Sequence, residues 1–91
     1  MVVEQRTPIR NRNGFHIRPG GRFMAIANNY RARVRVFGPH EREANGRSAV
    51  ELMSLGVHAG ETIRIVAEGV DAEEALAALV TLVESRFGGM D

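Results

Sequence analysis

The chain is 91 residues long, with 44% hydrophobic and 25% charged residues and a net charge of +1. That is ordinary globular usage, enough for one modest core. It contains no cysteine, which excludes a disulfide framework, a thiolate zinc site, an iron–sulfur cluster and a cysteine nucleophile together. The basic residues are all arginine and unevenly placed: residues 1–47 carry a balance of +7, residues 48–91 a balance of −6. A half this basic suits an acidic protein or a nucleic acid, so its place in the fold must decide. The most apolar stretch, Ala75–Val83, is nine residues, whereas a spanning helix needs about 20. The N-terminus lacks the apolar run of a secretory signal. A cytoplasmic protein with no membrane insertion is therefore expected.

In chain order, Val3, Gln5, Thr7 and Ile9 form one face of a first strand. Pro8, on its other face, argues for a sheet edge or a strand end. A helix follows between Pro19 and Tyr30, with Phe23, Ile26 and Ala27 as its inward stripe. Arg31–Phe37 alternates strictly, setting Ala32, Val34 and Val36 against Arg31, Arg33 and Arg35, the pattern of a half-buried strand. Arg42–Ala44, after the Gly38-Pro39 turn, returns as a short hairpin partner. Ser48-Ala-Val-Glu51 is a capping-box pattern, with Glu51 expected to bond back, and opens a helix that Gly56 stops. Thr62–Glu68 repeats the alternation, with Ile63, Ile65 and Ala67 inward and Thr62, Arg64 and Glu68 outward. Asp71-Ala-Glu-Glu74 is a second capping box and starts a helix over about 71–86. The glycines at 88 and 89 end it, and the last few residues are expected to fray. The order β-α-β-β-α-β-α predicts a single α+β domain over 1–91, its core about 3–87. The expected architecture is an open-faced β-sandwich: a four-stranded antiparallel sheet with three helices packed on one face.

The densest unusual segment is Asn13-Gly-Phe-His-Ile-Arg-Pro-Gly-Gly21. Proline is tolerated in a first helical turn, so the helix starts near Ile17 and His16 falls at its N-cap. Histidine is not a favoured cap. A helix N-terminus offers unbonded amides and about half a positive charge, a setting in which His16 is a candidate nucleophile. It also welcomes a phosphate placed on the ring. Arg18 adds a fixed cationic fork. Nucleophile, anion hole and counter-charge thus fall within three residues, as a phosphoryl-accepting site needs. The bland alternative, a loop histidine beside a solvated arginine, explains these residues about equally well.

Gly-Phe-His-Ile-Arg-Pro resembles the Gly-Leu-His-Ala-Arg-Pro site of HPr, the histidine-containing phosphocarrier of the bacterial phosphotransferase system. Asn45-Gly-Arg-Ser-Ala-Val-Glu-Leu-Met-Ser-Leu-Gly56 resembles that family's regulatory-serine segment, with Ser48 at the serine position. Gly69-Val-Asp-Ala-Glu-Glu-Ala-Leu-Ala-Ala-Leu79 resembles its last helix. The resemblance implies that His16 takes a phosphoryl group on Nδ1 from phosphorylated enzyme I, itself charged by phosphoenolpyruvate. His16 would then pass it to a histidine of an enzyme IIA that serves sugar uptake. Arg18, with the amides of Ile17 and Arg18, would steady the phosphate. No cofactor and no metal are implied, and a monomer is the expected form. The docking face would comprise Phe15, Ile17, Gly20, Gly21, Ala49, Val50 and Met53, ringed by Arg18, Arg22 and Arg47. An HPr serine kinase/phosphorylase would act on Ser48 in some branches; otherwise Ser48 is a plain cap.

The sequence departs from the family pattern at Gly20 and Gly21, often alanines there, at Ile17, and at Ala49-Val50-Glu51. These changes bear on partner choice. Three functional rivals remain. A regulatory relay of the same family would use His16 without driving sugar transport. A binding-only member would have lost phosphotransfer, against which the intact His16 and Arg18 argue. A nucleic-acid-binding module would use Arg31, Arg33, Arg35 and Arg64 on the open sheet, but it lacks stacking platforms, because of the five aromatic residues at most Phe37 touches the sheet; no nucleic-acid partner is expected. His40 and His58 fall in predicted loops without ligand spacing.

Overall fold

A computed structural model describes residues 1–90. Strand β1 (Val2–Pro8) is followed by α1 (Ile17–Ala27), β2 (Arg33–Phe37), β3 (Glu43–Asn45), α2 (Ala49–Ser54), β4 (Thr62–Glu68) and α3 (Ala72–Glu84). The strands form one antiparallel sheet in the order β1-β4-β2-β3. β1 is an edge strand, and Pro8 closes its register opposite Thr62, where a missing N–H costs least.

The alternation sets the two faces of the sheet. Val34, Val36, Ile63, Ile65 and Ala67 are buried beneath the helices, which return Phe23, Ala27, Leu52, Leu79 and Val83 to the same core. Arg33, Arg35, Arg64 and Phe37 lie on the other, uncovered face. Arg64 is the hub of that face. Its guanidinium reaches Glu4 at 3.6 Å and Glu41 at 3.3 Å and stacks 4.1 Å from the Phe37 ring centre. Val66 shares this face yet is buried, lying between its register partners Glu4 and Arg35.

Several details depart from the sequence reading. Ile9 lies just beyond β1, and β2 begins at Arg33, two residues later than the alternation suggests. The hairpin strand is Glu43–Asn45, one residue later than expected. Asp71 precedes α3 but makes no side-chain cap bond to it. Its carboxylate instead accepts the N–H groups of Arg31 and Ala32, each at 2.8 Å, and so ties the loop before β2 to the start of α3. The Arg31 N–H is the main reason this carboxyl is held below its ordinary value of 3.8. Finally, α3 ends at Glu84, and the chain does not fray over residues 86–90. Arg86, Phe87, Gly88 and Gly89 form one left-handed turn, with φ of 57°, 56°, 80° and 93°. Phe87 is fully buried, and its carbonyl accepts a hydrogen bond from Arg22 Nη1 at 2.7 Å. One buried aromatic ring and one charge-assisted bond offset the left-handed strain. Asp91, at the end of the segment expected to fray, lies outside the described residues.

Candidate functional site

The loop that delivers His16 is fixed before the histidine is reached. Gly14 has φ 71°, and a Cβ there would lie 2.3 Å from the Val57 carbonyl oxygen, so glycine is required. The Phe15 N–H donates to that same carbonyl at 2.9 Å. Buried Asn11 closes the loop from the other side: its carbonyl accepts the Gly14 N–H at 3.0 Å, and its amide donates to the Gly14 carbonyl. Phe15 is 2% exposed and stacks on Phe87 with ring centres 5.5 Å apart, while meeting Phe23 edge-on at 5.7 Å. The sequence reading set Phe15 on the docking face. Burial makes it the floor of the site instead.

Above this floor, His16 is the N-cap of α1. Its backbone is extended (φ −104°, ψ −167°), and its carbonyl accepts the Gly20 N–H at 2.9 Å. Its side chain makes no cap bond to the helix. Pro19 has no N–H, and the amides of Ile17 and Arg18 precede the first intrahelical bond, so both are available to an outside anion. Arg18 is exposed beside them. Histidine, arginine and two amides therefore fall within three residues at the helix end where the dipole favours negative charge.

The remaining docking residues divide. Ile17, Val50 and Met53 are exposed at 46%, 63% and 40%, and Ala49 is half-buried. Gly20 is buried against α2, where an added Cβ would lie 3.2 Å from the Ala49 carbonyl oxygen. Gly21 faces open space. Arg22 is committed to Phe87. Arg47 is half-buried and pinned by Asn28 Oδ1, at 2.9 Å, and by the carbonyls of Tyr30 and Ala32. It clamps the loop before β2.

Ser48 caps α2, its Oγ accepting the Glu51 N–H at 3.1 Å. The expected reciprocal bond from Glu51 goes elsewhere: Glu51 Oε1 accepts the Asn45 N–H at 3.0 Å, because the Ser48 N–H already bonds the Asn45 carbonyl. His40 and His58 are both exposed, His58 in a loop as expected but His40 within the short 3-10 turn Pro39–Glu41. Among the described residues no three His, Cys, Asp or Glu side chains could hold a metal ion. None of the described helices is long and apolar enough to cross a membrane.

Sequence reasoning missed Asn11 and the Phe87 turn, which together hold the site loop. An asparagine three residues before a glycine is a usable loop signal. The docking of Phe87 has no local signal, because its partners lie some 65 residues away in the chain.

The structure is thus an open-faced sandwich with a histidine and an arginine at the N-terminus of its first helix. The family model for the PTS HPr component phosphorylation site matches residues 3–85. The chain is 36% identical to phosphocarrier protein HPr of Mycoplasma genitalium over 76 residues, 84% of this chain and 86% of that one. It is 30% identical to the HPr-like protein Crh of Halalkalibacterium halodurans, over 91% of this chain and 98% of the other. The crystal structure of HPr from Thermoanaerobacter tengcongensis superposes with a TM-score of 0.89 at 37% identity, covering 98% of this chain and 99% of that one. The chain belongs to the HPr family of phosphotransferase-system phosphocarriers.

Proposed function

We propose that His16 is the phosphoryl acceptor and that the chain shuttles the group from phosphorylated enzyme I to an enzyme IIA in sugar uptake. The observation that carries this reading is the position of His16 at the N-cap of α1, where the helix dipole favours an anion, with Arg18 two residues on. An imidazole nitrogen attacks phosphorus as the donor's bond to it breaks. The transferred group then lies over the Ile17 and Arg18 amides, and the Arg18 guanidinium neutralises its oxygens. The exposed Ile17, Val50 and Met53 supply an apolar contact for donor and acceptor alike. Arg18 at the rim attracts acidic partner surfaces. Enzyme I plus phosphoenolpyruvate should add one acid-labile phosphoryl group, and His16→Ala should take none.

The likeness to Crh, a catabolite repression HPr of Bacillus subtilis, favours a second reading, in which phospho-His16 reports to a regulator instead of a transporter. Transfer from phosphorylated protein to purified enzyme IIA proteins separates the two. The Ser48 hydroxyl serves as a helix cap, so its modification by a serine kinase would first have to break that bond. Incubation with an HPr kinase and ATP, with Ser48→Ala as control, tests it by mass.

A further inference from the structure

We propose that the arginine-lined groove over β2 and β3 binds a small anion carrying two or more phosphoryl groups, at a site separate from His16. The groove encloses about 440 Å³ and is lined by Arg31, Arg33, Arg35 and Arg47 with Glu43 and Glu51. That volume lies within the range of small-molecule sites, roughly 300–1,000 Å³.

Arg33 and Arg35 are two residues apart on the outward face of β2, about 6.6 Å along the strand. One phosphoryl group can meet each guanidinium at that spacing. Elsewhere on this face arginine is already neutralised, since Arg64 takes both Glu4 and Glu41. Among the described residues, Arg33 and Arg35 form no ion pair. Two such neighbours repel each other until an anion bridges them. Arg47 closes the groove with its guanidinium held by three acceptors, so that wall is preorganised.

The acidic residues narrow the ligand class. The Glu51 carboxylate is occupied by the Asn45 N–H, while Glu43 is exposed and unpaired among the described residues. A lining of four positive and two negative groups favours a polyanion over a singly charged one. Phe37, the aromatic residue of this face, lies under the guanidiniums of Arg64 at 4.1 Å and Arg35 at 5.7 Å and does not line the groove. A nucleobase therefore finds nothing to stack on.

The test is titration of inorganic pyrophosphate into the full chain at low salt, followed by amide NMR. The proposal predicts saturable shifts over residues 31–35 and 43–47. Arg33→Ser with Arg35→Ser should weaken binding at least about 10-fold, and Glu43→Gln should tighten it roughly 3-fold. His16→Ala should bind like the wild type, and the double variant should still accept a phosphoryl group on His16. These outcomes separate the groove from the phosphocarrier reading. Shifts centred on Ile17 to Gly20, failure to saturate, or unchanged affinity in the double variant would overturn it. Tighter binding of a single-stranded oligonucleotide to the same residues would overturn it in favour of nucleic acid. If the double variant loses its fold, Glu43→Gln decides alone, and unchanged affinity there rejects the groove.

Discussion

Helices α1 and α2 begin side by side and solve the same problem in opposite ways. Both N-caps are extended, and both leave first-turn amides without intrahelical partners. At α2 the Ser48 hydroxyl takes the Glu51 N–H, and Glu51 braces the preceding strand through Asn45. At α1 a histidine occupies the cap and makes no such bond, with a proline and two glycines in the turn behind it. The first arrangement is satisfied by the chain itself. The second leaves its first-turn amides and dipole to the proposed phosphoryl group. On that reading, capping residues distinguish a helix end that holds the fold from one that holds an anion, even when the two share a surface.

Substituting the cap itself puts the most strain on this contrast. His16→Ser should abolish phosphorylation outright while stabilising the protein by about 0.5–1 kcal/mol, because serine is a favoured cap. Intact mass and thermal melts read both effects, and a destabilised variant would mean that the α1 end is already satisfied. Arg18→Ala comes next. Loss of a charged hydrogen-bonding partner of roughly 1.5–3 kcal/mol corresponds to transfer slowed about 10- to 150-fold. Stopped-flow rates with phosphorylated enzyme I measure it, and unchanged rates would remove Arg18 from the site.

At the other helix end the prediction reverses. Ser48→Ala should cost about 1 kcal/mol of stability and leave transfer to and from His16 intact. A large loss of transfer in a folded variant would show that α2 does more than dock.

The glycines behind His16 sharpen the comparison further. Gly21 faces open space, so Gly21→Ala should stabilise by about 0.8–1 kcal/mol through helix propensity. Gly20→Ala should gain less, because its Cβ would press on the Ala49 carbonyl at 3.2 Å. Equal gains in denaturant titrations would mean that α1 and α2 are not held as closely as described.

The third helix supplies a pH-dependent case. Asp71 has its carboxyl held below 3.8 chiefly by the Arg31 N–H. A depressed carboxyl stabilises the fold fully above its unfolded value and loses that contribution as pH falls through its folded value. The melting temperature of the wild type should therefore drop below about pH 4, and Asp71→Asn should flatten that drop. An identical acid slope in both proteins would detach Asp71 from the loop before β2.

The alternation of β2 and β4 and the cap at Ser48 were legible because strand period and N-cap chemistry are local. The capping-box motif at Asp71 was legible only as a helix start. Nothing in four residues says that its carboxylate would find a better pair of donors 40 residues back in the chain. The same limit hid Phe87 beneath Phe15 and the tie from Arg22. It also placed Phe15 outside, since an aromatic beside a histidine reads equally well as floor or as docking surface. The three residues of the proposed site, His16, Ile17 and Arg18, are consecutive, so grouping them needed no long-range knowledge.

The most direct test of the account is the intact mass of the chain after incubation with phosphoenolpyruvate and an active enzyme I, beside His16→Ala. One added phosphoryl group, lost in acid and absent from the variant, is the predicted result. No mass gain, or a gain that persists in His16→Ala, would contradict the assignment of the open end of α1 as the carrier site.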